Sequence, residues 1–323
     1  MYIGISEMLF RTICQIPKPS FQLKYTDEFL GLGSCFVENI GQKMLGLGLR
    51  GTLNPLGIMY NPISIAEELL ILKGEKDLQK EALFLSEGLF RHWSVHSRWS
   101  DADKATTFSK IKEQERMGQE QLVRSSFLLL SLGSAFAWKR DGVVVSNCHQ
   151  MPSEQFCREL LSVSQMVSAL EDALLELVQK KRMKIIITVS PVRYLRDGLI
   201  GSNRSKGRLL EVAHSLAERM ETAYYFPAYE IVMDELRDYR FFEQDMSHPS
   251  RVAVDYVWKQ FVDCCCDTKM QEFIRQAGKI KKMSEHRIQH VETVSSRSFR
   301  KKLALLQEDF VERFPFPKAL DDT

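Results

Sequence analysis

Ser34 stands where residue type and spacing could support acyl transfer. It follows Gly31-Leu32-Gly33, at the point where a short apolar run gives way to an amphipathic segment. The two glycines permit a tight turn, so the pattern predicts a strand, a turn and a helix, with Ser34 at the helix N-terminus. The free N–H groups there can stabilise a developing anion, which makes Ser34 a candidate nucleophile. The competing interpretation is that Ser34 is only an N-cap.

The next residue, Cys35, is an alternative nucleophile at the same turn. A helix N-terminus lowers the pKa of a thiol and so favours the reactive thiolate. We expect the Cys35 side chain to point inward beside the strand. The nucleophile is therefore predicted to be Ser34.

Asp245 and His248 form a second candidate group, three residues apart and just before an apolar helix pattern. This spacing lets one loop or helical turn present both side chains to a common point. The carboxylate could orient the imidazole and stabilise its charged form, while the imidazole takes a proton from a hydroxyl. Without other support, a surface hydrogen-bonded pair is the more frequent arrangement.

Alternating strands and helices must position these residues. Continuous apolar runs predict strands, and apolar stripes at helical spacing predict helices. The predicted strands end at Gly33 and span 127–132, 142–146, 185–189 and 223–227, and the predicted helices span 63–72, 154–182, 209–220 and 252–265. This order predicts a three-layer α/β/α domain with a mainly parallel sheet. Residues after each strand would face one cleft, which gathers Ser34, Gly133 and Ser190.

The chain is predicted to have three parts. Residues 1–24 are an extended lead-in, and residues 25–266 form the α/β domain with an insertion around 81–121. Residues 267–323 are a basic helical extension, since ten Lys or Arg face only three Glu between positions 269 and 302. Its apolar positions indicate packing on the domain or on a second subunit, so a homo-oligomer through this extension remains open.

Composition excludes several classes of partner. Lys and Arg number 44 against 42 acidic residues, and a net charge of +2 gives no general attraction to nucleic acid or membrane. No apolar run approaches the roughly 20 residues that span a bilayer. The N-terminus lacks the pattern of a secretory signal, and seven scattered cysteines are an odd number. We therefore expect reduced thiols and a cytoplasmic location.

Five motifs, taken in order, resemble the GSCFA family, which is related to the SGNH (GDSL-like) hydrolases. They are Gly33-Ser34-Cys35-Phe36, Asn54-Pro55-Leu56-Gly57-Ile58-Met59-Tyr60-Asn61-Pro62, Asn147-Cys148-His149, Ser190-Pro191-Val192-Arg193-Tyr194-Leu195-Arg196-Asp197-Gly198 and Asp245-Met246-Ser247-His248-Pro249-Ser250. The resemblance covers most of the chain. It implies an SGNH-like fold and a serine hydrolase or acyltransferase.

The resemblance also implies roles for particular residues. Ser34 would be the nucleophile, Asp245 the orienting acid and His248 the general base. The oxyanion hole would use the amide of the nucleophile, a glycine, for which Gly57 is the candidate, and an asparagine. The position expected for that asparagine holds Ala135.

Ala135 leaves one oxyanion donor to be found elsewhere. Either Asn61 or Asn147 supplies a side-chain donor, or the site has one donor fewer. Removing one such donor typically costs about 2.7 to 4 kcal/mol in the transition state. His149, beside Asn147, is expected to line the cleft. Arg193 follows the strand that ends before Ser190, and could hold an anionic substrate group or form a surface ion pair.

Two classes of function follow from the sequence. The first is a serine hydrolase or acyltransferase that acts on ester or acetyl groups of a carbohydrate or another polar small molecule, without cofactor or metal. The alternative is a catalytically degenerate or nucleotide-binding module on the same fold. Gly31-x-Gly33-x-x-Phe36 is similar to a dinucleotide fingerprint, but Phe36 stands where a small glycine is needed.

Overall fold

The computed structural model describes residues 11–285 and 293–316, and all structural statements concern these residues. In chain order the strands are β1 (Phe29–Gly33), β2 (Gly51–Leu53), β3 (Phe84–Ser86), β4 (Leu89–Arg91), β5 (Phe127–Leu132), β6 (Phe136–Arg140), β7 (Val143–Val145), β8 (Cys157–Leu160), β9 (Lys184–Val189) and β10 (Ala223–Tyr225).

The helices in the same residues lie between these strands and after β10. They are α1 (Cys35–Leu45), α2 (Pro62–Leu72), α3 (Lys104–Arg124), α4 (Val163–Gln179), α5 (Gly198–Arg219), α6 (Ala228–Glu230), α7 (Arg251–Cys265), α8 (Thr268–Ser284) and α9 (Val294–Arg313). The short α6 runs on into a π-helical segment, Ile231–Leu236. None of these helices combines the length and the apolar character that a membrane crossing requires.

A five-stranded parallel sheet forms the centre of the fold, in the order β10, β9, β5, β1, β2. Alternate residues of β5 point to opposite faces. Leu128 and Leu130 pack with residues of α2, α3, α4 and α5, whereas Phe127 and Leu129 pack with residues of α1, α7 and α8. Helices therefore cover both faces, which confirms the predicted three-layer α/β/α fold with a parallel sheet.

Two small antiparallel sheets lie outside this sheet. β3 and β4 form a hairpin, and β7, β6 and β8 form a three-stranded sheet. The segment 81–121, which shows no sheet pattern in the sequence, thus contains a hairpin and most of α3. Likewise β2 is absent from the predicted strands, because its three residues are too few for a periodic pattern.

The long helix predicted for 154–182 is wrong at its beginning. Residues Cys157–Leu160 pair with β6 as strand β8, and α4 starts only at Val163. Ser162 caps α4 with a full capping box, in which Gln165 reciprocates. This local signal marks the true helix start more reliably than the apolar spacing before it. The helix predicted for 209–220 also begins earlier, at Gly198.

The helix α8 packs against the segment just before β1 through an aromatic cluster. Phe273 is fully buried, and its ring stacks on Tyr25 at a centroid distance of 5.4 Å. Phe314, at the end of α9, meets the same ring edge-on at 5.4 Å. These contacts attach the basic C-terminal segment to the domain, since Tyr25 lies just before β1.

We predict that Phe273→Ala destabilises the protein by about 3–5 kcal/mol, because it removes a buried ring and leaves a cavity. Equilibrium unfolding in urea measures this loss directly. Lys279→Ala, an exposed position on the same helix, is the control and should change stability by less than about 0.5 kcal/mol. A loss of stability in Phe273→Ala as small as that in Lys279→Ala would show that α8 contributes little to the fold.

Candidate active site

The carboxyl ends of β1, β5 and β9 lie side by side at one edge of the sheet, as parallel pairing requires. The chain leaves these strands at Ser34, Gly133 and Ser190 respectively. Hydrogen bonds continue the pairing past the strand ends, from the Ser34 amide to the Ser131 carbonyl at 3.0 Å and from the Ser190 amide to the Leu132 carbonyl at 2.9 Å. The predicted gathering of these residues at one edge is therefore observed.

Gly33 forms the turn between β1 and α1. Its φ of +122° lies in the region that favours glycine, and a Cβ there would stand 2.2 Å from the Ser131 carbonyl oxygen. The Gly33 amide donates to Oδ1 of Asn54 at 2.8 Å. This contact fastens the turn to the segment 54–62, which forms one wall of the edge.

Ser34 caps α1, and its side chain lies inside the protein. It is fully buried. Its Oγ lies 2.8 Å from Oγ of Ser131 and accepts a hydrogen bond from the Phe36 amide at 3.3 Å. No hydrogen bond among the described residues joins Ser34 to His248.

Cys35 is the first residue of α1 and is only partly buried. Ser34 is the fully buried residue of the two, and its hydroxyl has a partner in Ser131 on β5. Burial raises the pKa of the Cys35 thiol, while the nearby Lys206 ammonium acts in the opposite direction.

Lys206 of α5 enters the same edge as a fully buried cation. Its Nζ donates to the Gly133 carbonyl at 2.7 Å and to the Ser190 carbonyl at 2.6 Å. The ammonium thus joins the ends of β5 and β9. Burial lowers the pKa of Lys206 to about 7, and the neighbouring Cys35 and Asp197 oppose that shift.

Two tyrosines close the space above Gly133. The rings of Tyr60 and Tyr194 meet edge-on at 5.7 Å, and the Lys206 Nζ lies 5.1 Å from the centre of the Tyr194 ring. The Tyr194 hydroxyl is shielded from solvent and has no hydrogen-bond partner in the described part of the chain. A Cβ on Gly133 would stand 2.8 Å from that hydroxyl, so only glycine fits here. The carbonyl of Tyr60 accepts from the Gly133 and Ser134 amides, each at 2.9 Å.

Asp245 and His248 form a hydrogen-bonded pair in the loop before α7. Oδ2 of Asp245 lies 2.6 Å from Nδ1 of His248. Oδ1 accepts from the amides of Ser247 and His248 at 2.9 and 3.0 Å. These backbone and side-chain hydrogen bonds lower the pKa of Asp245 to about 2. Both side chains are about half exposed, which leaves the opposite ring nitrogen, Nε2, free for a substrate or a nucleophile.

Arg193 connects this pair to the edge of the sheet. Its amide donates to the Ser247 carbonyl at 3.1 Å. Its guanidinium packs over the ring of Phe242, 4.1 Å from the centroid, and over Tyr239 at 5.1 Å. The side chain is thus held by aromatic rings, and the segment that follows β9 positions the Asp245–His248 loop.

Two predicted oxyanion residues have other partners. The Gly57 amide donates to the Asn54 carbonyl at 2.9 Å and closes a turn, so it is not available to a substrate. Asn61 caps α2, accepting from the Ser64 amide and donating to the Ser64 hydroxyl, both at 2.9 Å. Ser190 is buried, and its Oγ accepts from the Val192 amide at 3.3 Å. All three residues shape the backbone around the edge.

Asn147 and His149 lie together in a loop. Oδ1 of Asn147 accepts from the His149 amide at 2.7 Å. Nε2 of His149 lies 2.8 Å from the His92 carbonyl and must donate to it, so Nδ1 accepts from the Ser97 hydroxyl at 2.8 Å. Burial lowers the pKa of His149 to about 4, and the ring is therefore neutral at ordinary pH. His149 connects loops rather than moving protons.

A cavity of about 630 Å³ opens beside this loop. Trp138, Phe156 and Tyr60 give it apolar walls, and Asn147 and Arg196 give it polar ones. The Arg196 guanidinium lies 5.1 Å from the centre of the Trp138 ring. Tyr60 also borders the β1–α1 turn, because the amide of the preceding residue, Met59, donates to the Gly33 carbonyl at 3.2 Å. The cavity is thus next to that turn.

Sequence reasoning did not identify Lys206, Tyr194 and Trp138 as residues of this region. Lys206 stands in a polar run, Ser205-Lys206-Gly207-Arg208, which resembles the exposed face of a helix. Only the packing of α5 on the strand ends buries it. Tyr194 was visible within the fourth motif of the resemblance, but its place over Gly133 depends on the three-dimensional fold.

Comparison with protein families gives one result. The model of the GSCFA family matches residues 28–261, which include the β1–α1 turn, the cavity and the Asp245–His248 pair. No curated protein matches the chain.

Glu68 of α2 supports the wall of the site formed by residues 54–62. The side chain is buried and accepts from the Leu56 amide at 3.1 Å, which holds the segment 54–62. Burial raises the pKa of Glu68 from its ordinary 4.5 to about 8. Between these values the unfolded chain has released a proton that the folded protein keeps, so stability falls as pH rises.

Glu68→Gln removes this titration and keeps the acceptor oxygen. The melting temperature of the variant, relative to wild type, should therefore rise steadily from about pH 5 to about pH 8. Thermal melts across this range test it, with Glu120→Gln, an exposed carboxylate on α3, as the control with a flat difference. A flat difference for Glu68→Gln as well would mean that Glu68 is ionised in the folded protein.

Proposed function

The chain belongs to the GSCFA family, and from this premise we propose that it is a hydrolase or acyltransferase that acts on ester or acetyl groups. The acyl group would be transferred through a nucleophile at the β1–α1 turn. The substrate class we propose is a carbohydrate or another polar small molecule.

The Asp245–His248 pair carries this proposal. A carboxylate on Nδ1 fixes the tautomer and orientation of the ring, so that Nε2 is the nitrogen that accepts a proton. The 2.6 Å contact and the two amide hydrogen bonds to Asp245 hold the carboxylate in its ionised form.

The β1–α1 turn could stabilise the negative charge that develops during acyl transfer. Among the first amides of α1, those of Phe36 and Val37 donate to the hydroxyl and the carbonyl of Ser34, which leaves the Cys35 amide next to the residue that would attack. This N–H group and the helix dipole can stabilise the negative charge of a tetrahedral intermediate. Because the Gly57 and Asn61 donors are used elsewhere, this charge would depend on the helix N-terminus and on cationic neighbours.

The cavity beside Tyr60 suits a polar substrate with apolar faces. Aromatic rings such as Trp138 and Phe156 pack on the C–H faces of sugars and similar molecules, while Asn147 and Arg196 offer hydrogen-bond donors. The cavity volume of about 630 Å³ suits a small polar molecule that carries a short acyl group, such as acetyl.

We predict that His248→Ala lowers kcat on a short acyl ester such as p-nitrophenyl acetate by about 10²- to 10⁴-fold, since it removes the general base. Asp245→Asn should lose less, because the ring remains but its orientation is weakened. Steady-state rates and circular dichroism separate lost chemistry from lost folding.

Asp238→Asn provides a matched control. Asp238 is also exposed, and it also accepts from the amide two residues later, at 2.9 Å, but it pairs with Arg240 instead of a histidine. It should keep full activity. Full activity in His248→Ala would remove the acid–base assignment.

A further inference from the structure

We infer that Cys35, rather than Ser34, receives the acyl group, and that the Lys206 ammonium and the Tyr194 hydroxyl stabilise the negative charge that develops beside it. This inference rests on the proposed function and names the nucleophile of the same site. Four observations carry it: the burial of Ser34, the accessibility of Cys35, the placement of Lys206 and the unpartnered hydroxyl of Tyr194.

Ser34 is built into the turn as a structural residue. Its hydroxyl is fully buried between Oγ of Ser131 and the Phe36 amide. To attack a substrate, the side chain would have to leave both partners and rotate out of the sheet. The two contacts explain Ser34 completely as an N-cap that also ties α1 to β5.

Cys35, the next residue, is not fully buried. Its side chain is partly accessible, and its electrostatic neighbours include Tyr60, which lines the cavity. As the first residue of α1, it has an amide without an intrahelical partner, directly beside its own sulfur. A tetrahedral intermediate on Sγ would therefore meet the helix N-terminus, as an oxyanion requires.

Lys206 adds a cation to this position. An ammonium has three N–H groups, and two of them are occupied by the Gly133 and Ser190 carbonyls. The charge itself is not neutralised by these carbonyls, and it acts on the Cys35 thiol. The described part of the chain places no carboxylate in an ion pair with Lys206, so burial disfavours its ammonium form, and a thiolate or oxyanion at Cys35 would favour that form.

The Tyr194 hydroxyl is the second group that points to an anion. It is shielded from solvent, lacks a hydrogen-bond partner among the described residues and lies over Gly133, at the end of β5. Buried hydroxyls in native proteins nearly always have a partner. A substrate oxygen held between Tyr194 and Cys35 would supply one.

The charged and titratable groups that face Cys35 decide whether its thiol is protonated before a substrate binds. Burial raises the pKa of the Cys35 thiol and Glu38 of α1 acts in the same direction, whereas the amides of Cys35 and Phe36 and the ammonium of Lys206 from α5 oppose this rise. Tyr60 and Tyr194, from the two flanking loops, are neutral. Cys35 thus rests protonated, and its proton must be removed during the attack.

His248 would carry the proton in both halves of the reaction. Nε2 of His248 takes the proton from Sγ of Cys35 as sulfur bonds to the acyl carbon, and the C–O bond to the leaving alcohol then breaks. The imidazolium returns the proton to that alcohol. Water, deprotonated by the same imidazole, or an acceptor alcohol attacks the thioester, and the released thiolate takes the proton back from the imidazolium.

The first test traps the intermediate. Wild type, Cys35→Ala, Cys35→Ser and Ser34→Ala are mixed with p-nitrophenyl acetate, quenched in acid and analysed by intact mass and peptide mapping. We expect one acetyl group on Cys35 that hydroxylamine removes at neutral pH, and at least about 10³-fold lower activity in Cys35→Ala. Ser34→Ala should still become acetylated and keep most of its activity.

Two outcomes overturn the inference in distinguishable ways. Turnover with the acetyl group on Ser34, or undiminished turnover in Cys35→Ala, rejects Cys35 as nucleophile and leaves the proposed function standing. No turnover and no acetylation of wild type with a series of short acyl esters, thioesters and acetylated sugars rejects the proposed function, and this inference fails with it.

The second test concerns Lys206 and Tyr194. The rate of iodoacetamide labelling at Cys35, followed by peptide mapping as pH increases, reports the ionisation of this thiol, with Cys148 as the internal reference. Lys206→Met should move the Cys35 profile to higher pH and leave the Cys148 profile in place, whereas Lys206→Arg should restore part of the shift. Tyr194→Phe should slow acetylation without moving the profile.

Using two variants keeps the test informative if one of them does not fold. Tyr194→Phe removes only one oxygen atom, so it remains informative if Lys206→Met does not fold. An unchanged profile in folded Lys206→Met, or an unchanged acetylation rate in Tyr194→Phe, shows that the group concerned does not stabilise charge at Cys35.

Discussion

The parallel pairing of β1, β5 and β9 is the constraint on which the rest of this structure depends. It brings three strand ends to one edge, where each following residue must turn sharply. Gly33 and Gly133 allow these turns, because a Cβ on either would collide with the neighbouring strand or loop. Lys206 then joins the carbonyls at the ends of β5 and β9, which no backbone amide reaches. Chemistry can gather at this edge because its backbone is fixed first.

The sequence predicted the parts of this arrangement that depend on local pattern. The apolar runs of β5 and β9 and the glycine turn before Ser34 are strong local signals, and they give the sheet and the strand–turn–helix unit. The spacing of Asp245 and His248 predicted that one loop presents both side chains, and the 2.6 Å contact is observed. Their catalytic roles remain a proposal.

Other features could not be predicted because they depend on what packs against them. Ser34 and Cys35 are adjacent and both suit a helix start, and only Ser131 on β5 decides which of them turns inward. Lys206 reads as an exposed helix residue until α5 covers the strand ends. Gly57 was expected to donate to a substrate, but the Asn54 carbonyl takes its amide. Each outcome rests on a contact between residues distant in sequence or on a turn that the pattern does not specify.

The central claim is that Cys35 and His248 act in one chemical step at this edge. The most direct measurement is a double-mutant cycle on kcat/KM for a short acyl ester, with Cys35→Ala, His248→Ala and the double variant. If the two residues share one step, the double variant loses no more activity than the more severe single variant. If the losses multiply, the residues act independently and the account of a single acyl-transfer site is contradicted.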